Sequence, residues 1–143
     1  ERASDVLTGW IHHLLLCAAP PAGASCVTRW VARDAVRTFA PLESGDARAR
    51  LAELVACYRD GLQRPVHFFP KSSWSFVRNG DYKARQAWIG SPDFGGERDR
   101  PAHRLALRGV ADPLDDEFEE LAGRVFGAIV SERVPLIAWE PAP

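Results

Sequence analysis

Ser91-Pro92-Asp93 followed by Glu97-Arg98-Asp99 is the run whose residue types come nearest to metal-assisted hydrolysis. Metal-dependent nucleases set two carboxylates on one divalent ion and add a lysine that assists the attacking water. Here the carboxylates are too close in sequence to sit on two neighbouring strands. Their surroundings, GSPDFGGERDR, are rich in glycine, proline and charge and lack periodicity, which predicts a loop from Ile89 to Arg100. The third position is Asp99 rather than lysine. The expectation is therefore that Asp93, Glu97 and Asp99 are solvated loop carboxylates, with no catalytic residue and no metal ligand among them.

A second chemistry is nucleic-acid binding. Lys71, Arg78, Lys83 and Arg85 are interleaved with Trp74, Phe76, Tyr82 and Trp88. Cations and aromatic rings together hold single strands by charge and stacking. The same composition also suits an aromatic core with a solvated cationic face. Arg29, Arg33 and Arg37 recur along an earlier β-rich stretch. They offer either a phosphate-tracking stripe or a charged strand kept from aggregating. The candidate DNA contacts are thus Arg29, Arg33, Arg37, Lys71, Trp74, Arg78, Lys83 and Arg85.

Other chemistries lack their parts. No GxSxG, phosphate loop or dinucleotide fingerprint occurs, and no Cys–His pairing has suitable spacing. Cys17, Cys26 and Cys57 are odd in number and lack CxxC spacing, which predicts reduced thiols. His12 and His13 are adjacent, so a helix sends them to different faces, one partly buried and one exposed. No cofactor is implied.

The elements that position these residues follow from periodicity. Leu7, Trp10, Ile11, Leu14, Leu15 and Ala18 give one face of a helix over Ser4–Ala18, with Ser4 or Asp5 as its cap and Pro20-Pro21 as its stop. Cys26–Ala32 and Val36–Phe39 predict a hairpin turning at Arg33-Asp34-Ala35. Ala47, Leu51, Leu54, Val55, Tyr58 and Leu62 line a helix over Ser44–Gly61, with Gly61 as a left-handed stop. Val66–Phe69 then predicts a short buried strand closed by Pro70, with Ser73 capping the next helix. Trp74–Trp88 is expected as two helical pieces broken near Asn79-Gly80, and Ala102–Arg108 as a short helix. A last helix is expected to be capped by Asp112, with Pro113 in its first turn. Its apolar side is Phe118, Leu121, Ala122, Val125, Phe126 and Ile129. The acidic cluster from Asp115 to Glu120 suits the positive end of that helix. Leu136, Ile137 and Trp139 in the proline-punctuated tail are expected to pack on the body or on a partner.

The chain is long enough, at 143 residues, for a single domain with its own core, here 1–143. Its 46% apolar content opposes disorder, and its net charge of −1 opposes a generally basic DNA-coating protein. The apolar run Ile11–Ala19 is too short to span a bilayer. Methionine is absent even at position 1, so an excised piece of a longer polypeptide is expected. The fold class is α+β and predominantly helical: a hairpin and one short strand packed with amphipathic helices.

Five pieces in register carry a family resemblance. Tyr58-Arg59-Asp60-Gly61-Leu62, Pro65-Val66, Phe69-Pro70-Lys71-Ser72 and Trp74 form one block. Trp10-Ile11-His12-His13-Leu14 precedes it, and Ala84–Trp88, Gly96-Glu97 and Pro135-Leu136 follow in order. The chain resembles the C-terminal part of RecC, the gamma subunit of exodeoxyribonuclease V, over essentially its whole length.

The resemblance implies a degenerate PD-(D/E)xK nuclease-like fold without its catalytic residues. It implies a bacterial, cytoplasmic machine that unwinds and degrades DNA at double-strand breaks before homologous recombination. Its partners would be a RecB-like beta subunit, which carries the nuclease, and a RecD-like alpha subunit, with DNA bound in the full complex. The family's nuclease-motif strands lie upstream of the Trp10–Leu14 pattern, so the chain is expected to hold only the latter part of that fold. Two other classes remain: an autonomous single-strand binder built on Lys71, Trp74, Arg78, Lys83 and Arg85, and an active nuclease using Asp93, Glu97 and Asp99.

Overall fold

Sixteen residues, Ala3–Ala18, form the first helix, α1. They belong to a computed structural model that describes residues 2–31 and 36–131. The buried face of α1 carries Val6, Trp10, His13, Leu14 and Cys17, while Leu15 is 53% exposed. This face is turned from the expected one because a hairpin covers the side bearing His13 and Cys17. The start of α1 is Arg2, and neither Ser4 nor Asp5 caps it: their side chains bond each other instead.

The hairpin pairs β1, Thr28–Val31, with β2, Val36–Phe39, antiparallel, with Thr28 opposite Phe39 and Trp30 opposite Arg37. Its expected turn, Arg33 included, lies outside the described residues. Phe39 is buried against the rings of Trp10 and His13, with centroids 5.4 Å and 5.3 Å away.

α2 spans Ser44–Gln63 and packs on α1. Ser44 Oγ and Arg48 Nε both donate to the Ala18 carbonyl, at 3.0 and 3.1 Å, so α2 satisfies the open end of α1. The helix runs through Gly61, which has no positive φ, and ends at Arg64 in extended backbone. The expected glycine stop is thus displaced by Pro65, which forces the residue before it out of helical space.

Val66–Phe69 is not a strand. Among the described residues the sheet holds β1 and β2 alone, so the pairing that a nuclease-like sheet would need at Val66–Phe69 is absent. The segment is a short irregular crossing that ends at Phe69. α3 then begins at Pro70 and runs to Asn79. Proline fits the first helical position because the amide it lacks has no partner there anyway. Ser73 consequently lies inside α3 and caps nothing beyond it. Gly80, at φ 80°, separates α3 from α4, Asp81–Ile89.

A 3₁₀ turn at Glu97–Asp99 and the short α5, Pro101–Ala106, follow. α6 spans Asp116–Val130, and Asp115 caps it by accepting from the Phe118 amide at 3.1 Å. Asp112 instead bonds the Leu114 amide at 3.0 Å, closing the turn that delivers the chain to α6. The apolar side of α6 is the expected one, with all six residues buried. The fold is predominantly helical with a small antiparallel sheet. No helix among the described residues is long and apolar enough to cross a membrane.

Two apolar clusters result. One joins α1, Phe39, Ala47, Trp74 and the end of α6. The other joins Phe69, Ala84, Leu114 and Phe118. Phe69 is 4.4 Å by centroid from Trp88 and 6.0 Å from Phe118, so the irregular crossing is pinned by its last ring.

The adjacent histidines separate cleanly. His12 is exposed, and His13 is wholly buried, with Nδ1 3.0 Å from Thr28 Oγ1 and Cys17 Sγ 3.6 Å from Nε2. Burial pushes the His13 pKa below its ordinary value, and a backbone hydrogen bond at Ala40 offsets part of that. The unfolded chain takes up this proton near pH ~6.5, whereas the folded chain resists it to lower pH. The His13 contribution is therefore complete above that pH. It falls by at most about 1.4 kcal/mol per unit below it, until the folded His13 also protonates. Urea unfolding at successive pH values should show this loss in the parent chain and a flatter profile in His13→Phe. An equal slope in both would remove His13 as the cause.

Candidate nucleic-acid interface

Lys71, Trp74 and Arg78 recur at three- and four-residue spacing, so α3 presents them on one side. This side faces a cleft of about 590 Å³ that Arg2 and Arg100 also line. Four cationic residues thus line one cleft that the Trp74 side chain also lines. Arg78 Cζ is 5.3 Å from the centroid of the Trp74 ring, a cation–π distance. Trp74 is 6% exposed, and its Nε1 has no hydrogen-bond partner among the described residues. No carboxylate of the described residues lies within ion-pair distance of Lys71 or Arg2.

The residue that holds this cleft together is Glu97. It is 2% exposed and accepts from the Ser72 amide at 2.7 Å, the Ser72 hydroxyl at 2.9 Å and the Lys71 amide at 3.1 Å. Those amides are among the four that a helix start leaves unpaired. A carboxylate there also meets the positive end of the helix dipole. Glu97 Oε1 is in turn 3.9 Å from Arg100 Nη1, so one side chain fixes both α3 and the far rim of the cleft.

This corrects the expectation of solvated loop carboxylates. Asp93 is exposed, but Glu97 is buried, and both its oxygens are occupied by α3. Asp99 Oδ2 accepts from the Gly96 amide at 2.8 Å. The expected loop is also more ordered than its composition suggests. Gly90 and Gly95 form an antiparallel bridge, and Ser91 and Phe94 exchange backbone hydrogen bonds. Among the described residues no group of three His, Cys, Asp or Glu side chains is placed to hold a metal ion.

The remaining candidate contacts lie elsewhere. Arg85 is held by Asp81 at 2.9 Å and Asp112 at 2.8 Å, which raises its pKa and ties α4 to the approach of α6. Lys83 Nζ donates to Gln86 Oε1 at 2.9 Å and lies over the Tyr82 ring. In the hairpin, position 29 is opposite Thr38 and position 37 is opposite Trp30. Positions 29 and 37 therefore belong to opposite faces of the ribbon and do not form one cationic stripe. Position 33 lies outside the described residues. Arg2 and Arg100 were missed by sequence reasoning. They are remote from α3 in sequence, and no periodicity joins them to it.

A model of the RecC C-terminal domain family matches residues 2–81, a span that includes α1, the hairpin, α2 and α3. No curated protein matches the chain.

Proposed function

Because the chain belongs to the RecC C-terminal domain family, we propose that it is a non-catalytic part of an exodeoxyribonuclease V gamma subunit that holds a DNA strand rather than cutting one. In this reading it works in the bacterial cytoplasm during double-strand-break repair by recombination, assembled with a RecB-like beta subunit and a RecD-like alpha subunit. The observation that carries the reading is Glu97. Of the three loop carboxylates that an active nuclease would use, Glu97 is buried and committed to the start of α3. What that commitment supports, beside it, is a cleft with four cationic residues.

The chemistry of the cleft suits a phosphodiester backbone. Phosphate oxygens accept from lysine and arginine without reading sequence, and Arg100 and Lys71 approach from different elements, as a strand laid across the cleft requires. Trp74 is too deeply buried to stack on a base, so its part is to carry Arg78. The sequence-based idea of a stacking platform at Trp74 is thereby replaced by a charge-lined cleft.

The test is a titration of the full chain with a labelled single-stranded oligonucleotide at several salt concentrations. Each phosphate neutralised should contribute about −0.7 to the slope of log affinity against log salt. Lys71→Ala should weaken binding and flatten that slope by about one such increment, while Lys83→Ala should leave both unchanged. Equal behaviour of the two variants would remove the cleft as the binding site. Co-purification with the beta and alpha subunits is the matching expectation for assembly, and failure to retain either would overturn that part of the reading.

A further inference from the structure

The chain doubles back on α1 as soon as that helix ends. Pro20-Pro21 stop it, and the Ala24 amide then donates to the Pro21 carbonyl at 3.0 Å. Gly23 is third in that four-residue turn, at φ 74°, where a turn of this kind takes a positive value. The reversal returns Cys26 to the last turn of α1, beside Cys17. Cys17 is 1% exposed, and Cys26 is half-buried against the same apolar cluster. Cys17 Sγ lies 3.8 Å from the Cys26 carbonyl oxygen, and a hydrogen bond joins the two thiols.

His13 completes the group from one turn earlier in α1. Its Nε2 is 3.6 Å from Cys17 Sγ. Burial lowers the His13 pKa, so the imidazole is neutral near pH 7 and can take a thiol proton. Burial also pushes the Cys26 thiol above its ordinary pKa, and the neighbouring Cys17 adds to that. Cys26 therefore stays protonated and reduced while oxidants are scarce. Cys57 is apart from the pair, on α2 beside an open groove. The expected packing of Leu136, Ile137 and Trp139 lies outside the described residues.

We propose that Cys17 and Cys26 are a reversible oxidation site, closed to an intrachain disulfide by a low-molecular-weight disulfide such as glutathione disulfide. The Cys26 sulfur, nearer the surface, attacks first. It displaces one glutathione, which leaves as its thiol with the Cys26 proton. Cys17 then gives its proton to His13, and its sulfur displaces the second glutathione, which takes that proton as it leaves. Two protein thiols become one disulfide, and one glutathione disulfide becomes two thiols. The thiols are already in contact, so joining them needs side-chain rotation and a small approach rather than movement of an element. The bond ties the end of α1 to the lead into β1 and fastens the hairpin over Trp10 and His13. This site is independent of the cationic cleft, which lies against α3 and the start of α1.

The test incubates the full chain with glutathione disulfide, quenches with acid and maps the peptides without reductant. Cys17 and Cys26 should be found joined within one chain, with the loss of two hydrogen atoms, and dithiothreitol should reverse the bond. The joined pair should exceed the Cys26–glutathione adduct by about tenfold or more, because the second exchange is intramolecular. Cys57→Ser should leave both results unchanged. Stable glutathione adducts without the Cys17–Cys26 bond, or no reaction at either thiol, would overturn the proposal. The oxidised chain should melt roughly 5–10 °C above the reduced one. A bond that leaves the melting temperature unchanged or lowers it would overturn the fastening of the hairpin. Cys26→Ser gives a second arm, in which the buried Cys17 should take up no glutathione while helical circular dichroism is retained. Uptake by Cys17 in that variant as fast as disulfide formation in the parent would contradict the order of attack. The parent map keeps the proposal falsifiable where that variant fails to fold.

Discussion

Glu97→Ala is expected to cost about 4 kcal/mol of stability, the largest effect of any single substitution at the cleft. Three donors, the Lys71 amide and the amide and hydroxyl of Ser72, lose their acceptor together. Ser72 is 0% exposed, so water cannot readily replace what is removed. Glu97→Gln keeps the shape and one acceptor oxygen, but it sets an amide group against donors and removes the charge. It should lose about half as much. Asp93→Ala, at an exposed position in the same loop, should stay within about 0.5 kcal/mol of the parent. Urea denaturation followed by circular dichroism separates the three. If Glu97→Ala unfolded alongside Asp93→Ala, the carboxylate would not be holding α3, and its burial would need another explanation. The same substitution should weaken oligonucleotide binding in whatever fraction remains folded, because Arg100 and Lys71 are oriented through it.

Gly96→Ala should be the second most damaging change. A methyl group at Gly96 would lie 2.1 Å from the Trp88 carbonyl oxygen and 2.4 Å from the Ile89 carbonyl carbon. Both are backbone atoms at the end of α4, and Trp88 is packed on the Phe69 ring, so neither can rotate away. The loop must shift, and Glu97, the next residue, shifts with it. A loss of about 3 kcal/mol is expected, at the upper end for overpacking, or roughly 10 °C in melting temperature for a chain of this size. Gly123→Ala is the contrasting control. Gly123 lies on the exposed side of α6 with no atom within 4 Å of an added Cβ, so alanine there should stabilise by up to about 1 kcal/mol. Similar melting temperatures for the two variants would show that close approach at Gly96 is not a constraint.

Periodicity made some of this fold legible and hid the rest for identifiable reasons. The buried side of α6 could be read residue by residue because one sequence-continuous stripe faces one core. α2 was legible as a helix but not in its burial, since Val55, Tyr58 and Leu62 stay largely exposed, the last two beside an open groove. Val66–Phe69 has the composition of a strand, yet its apolar rings are used singly: Phe69 enters one cluster while Phe68 stacks on Phe126 of the other. No pattern within four residues distinguishes that use from a sheet.

The candidate site was legible only in part. Lys71, Trp74 and Arg78 share a helix, so spacing could group them. Arg2 and Arg100 reach the same cleft through tertiary folding, and Glu97 joins them through a contact across 25 residues to Ser72. The Gly96-Glu97 pair was a visible signal, but its meaning depended on a helix start that sequence reasoning had put four residues too late, with Ser73 as the cap in place of Phe69.

In the proposed function this domain grips a strand without cutting it. The most direct measurement incubates the full chain with an end-labelled single-stranded oligonucleotide and Mg²⁺, and follows both its mobility and its length. The expected result is a salt-sensitive complex, weakened by Lys71→Ala, in which the oligonucleotide keeps its full length. Shortening of the oligonucleotide that disappears in Asp93→Ala would contradict it and would restore the loop carboxylates as a metal-dependent active site.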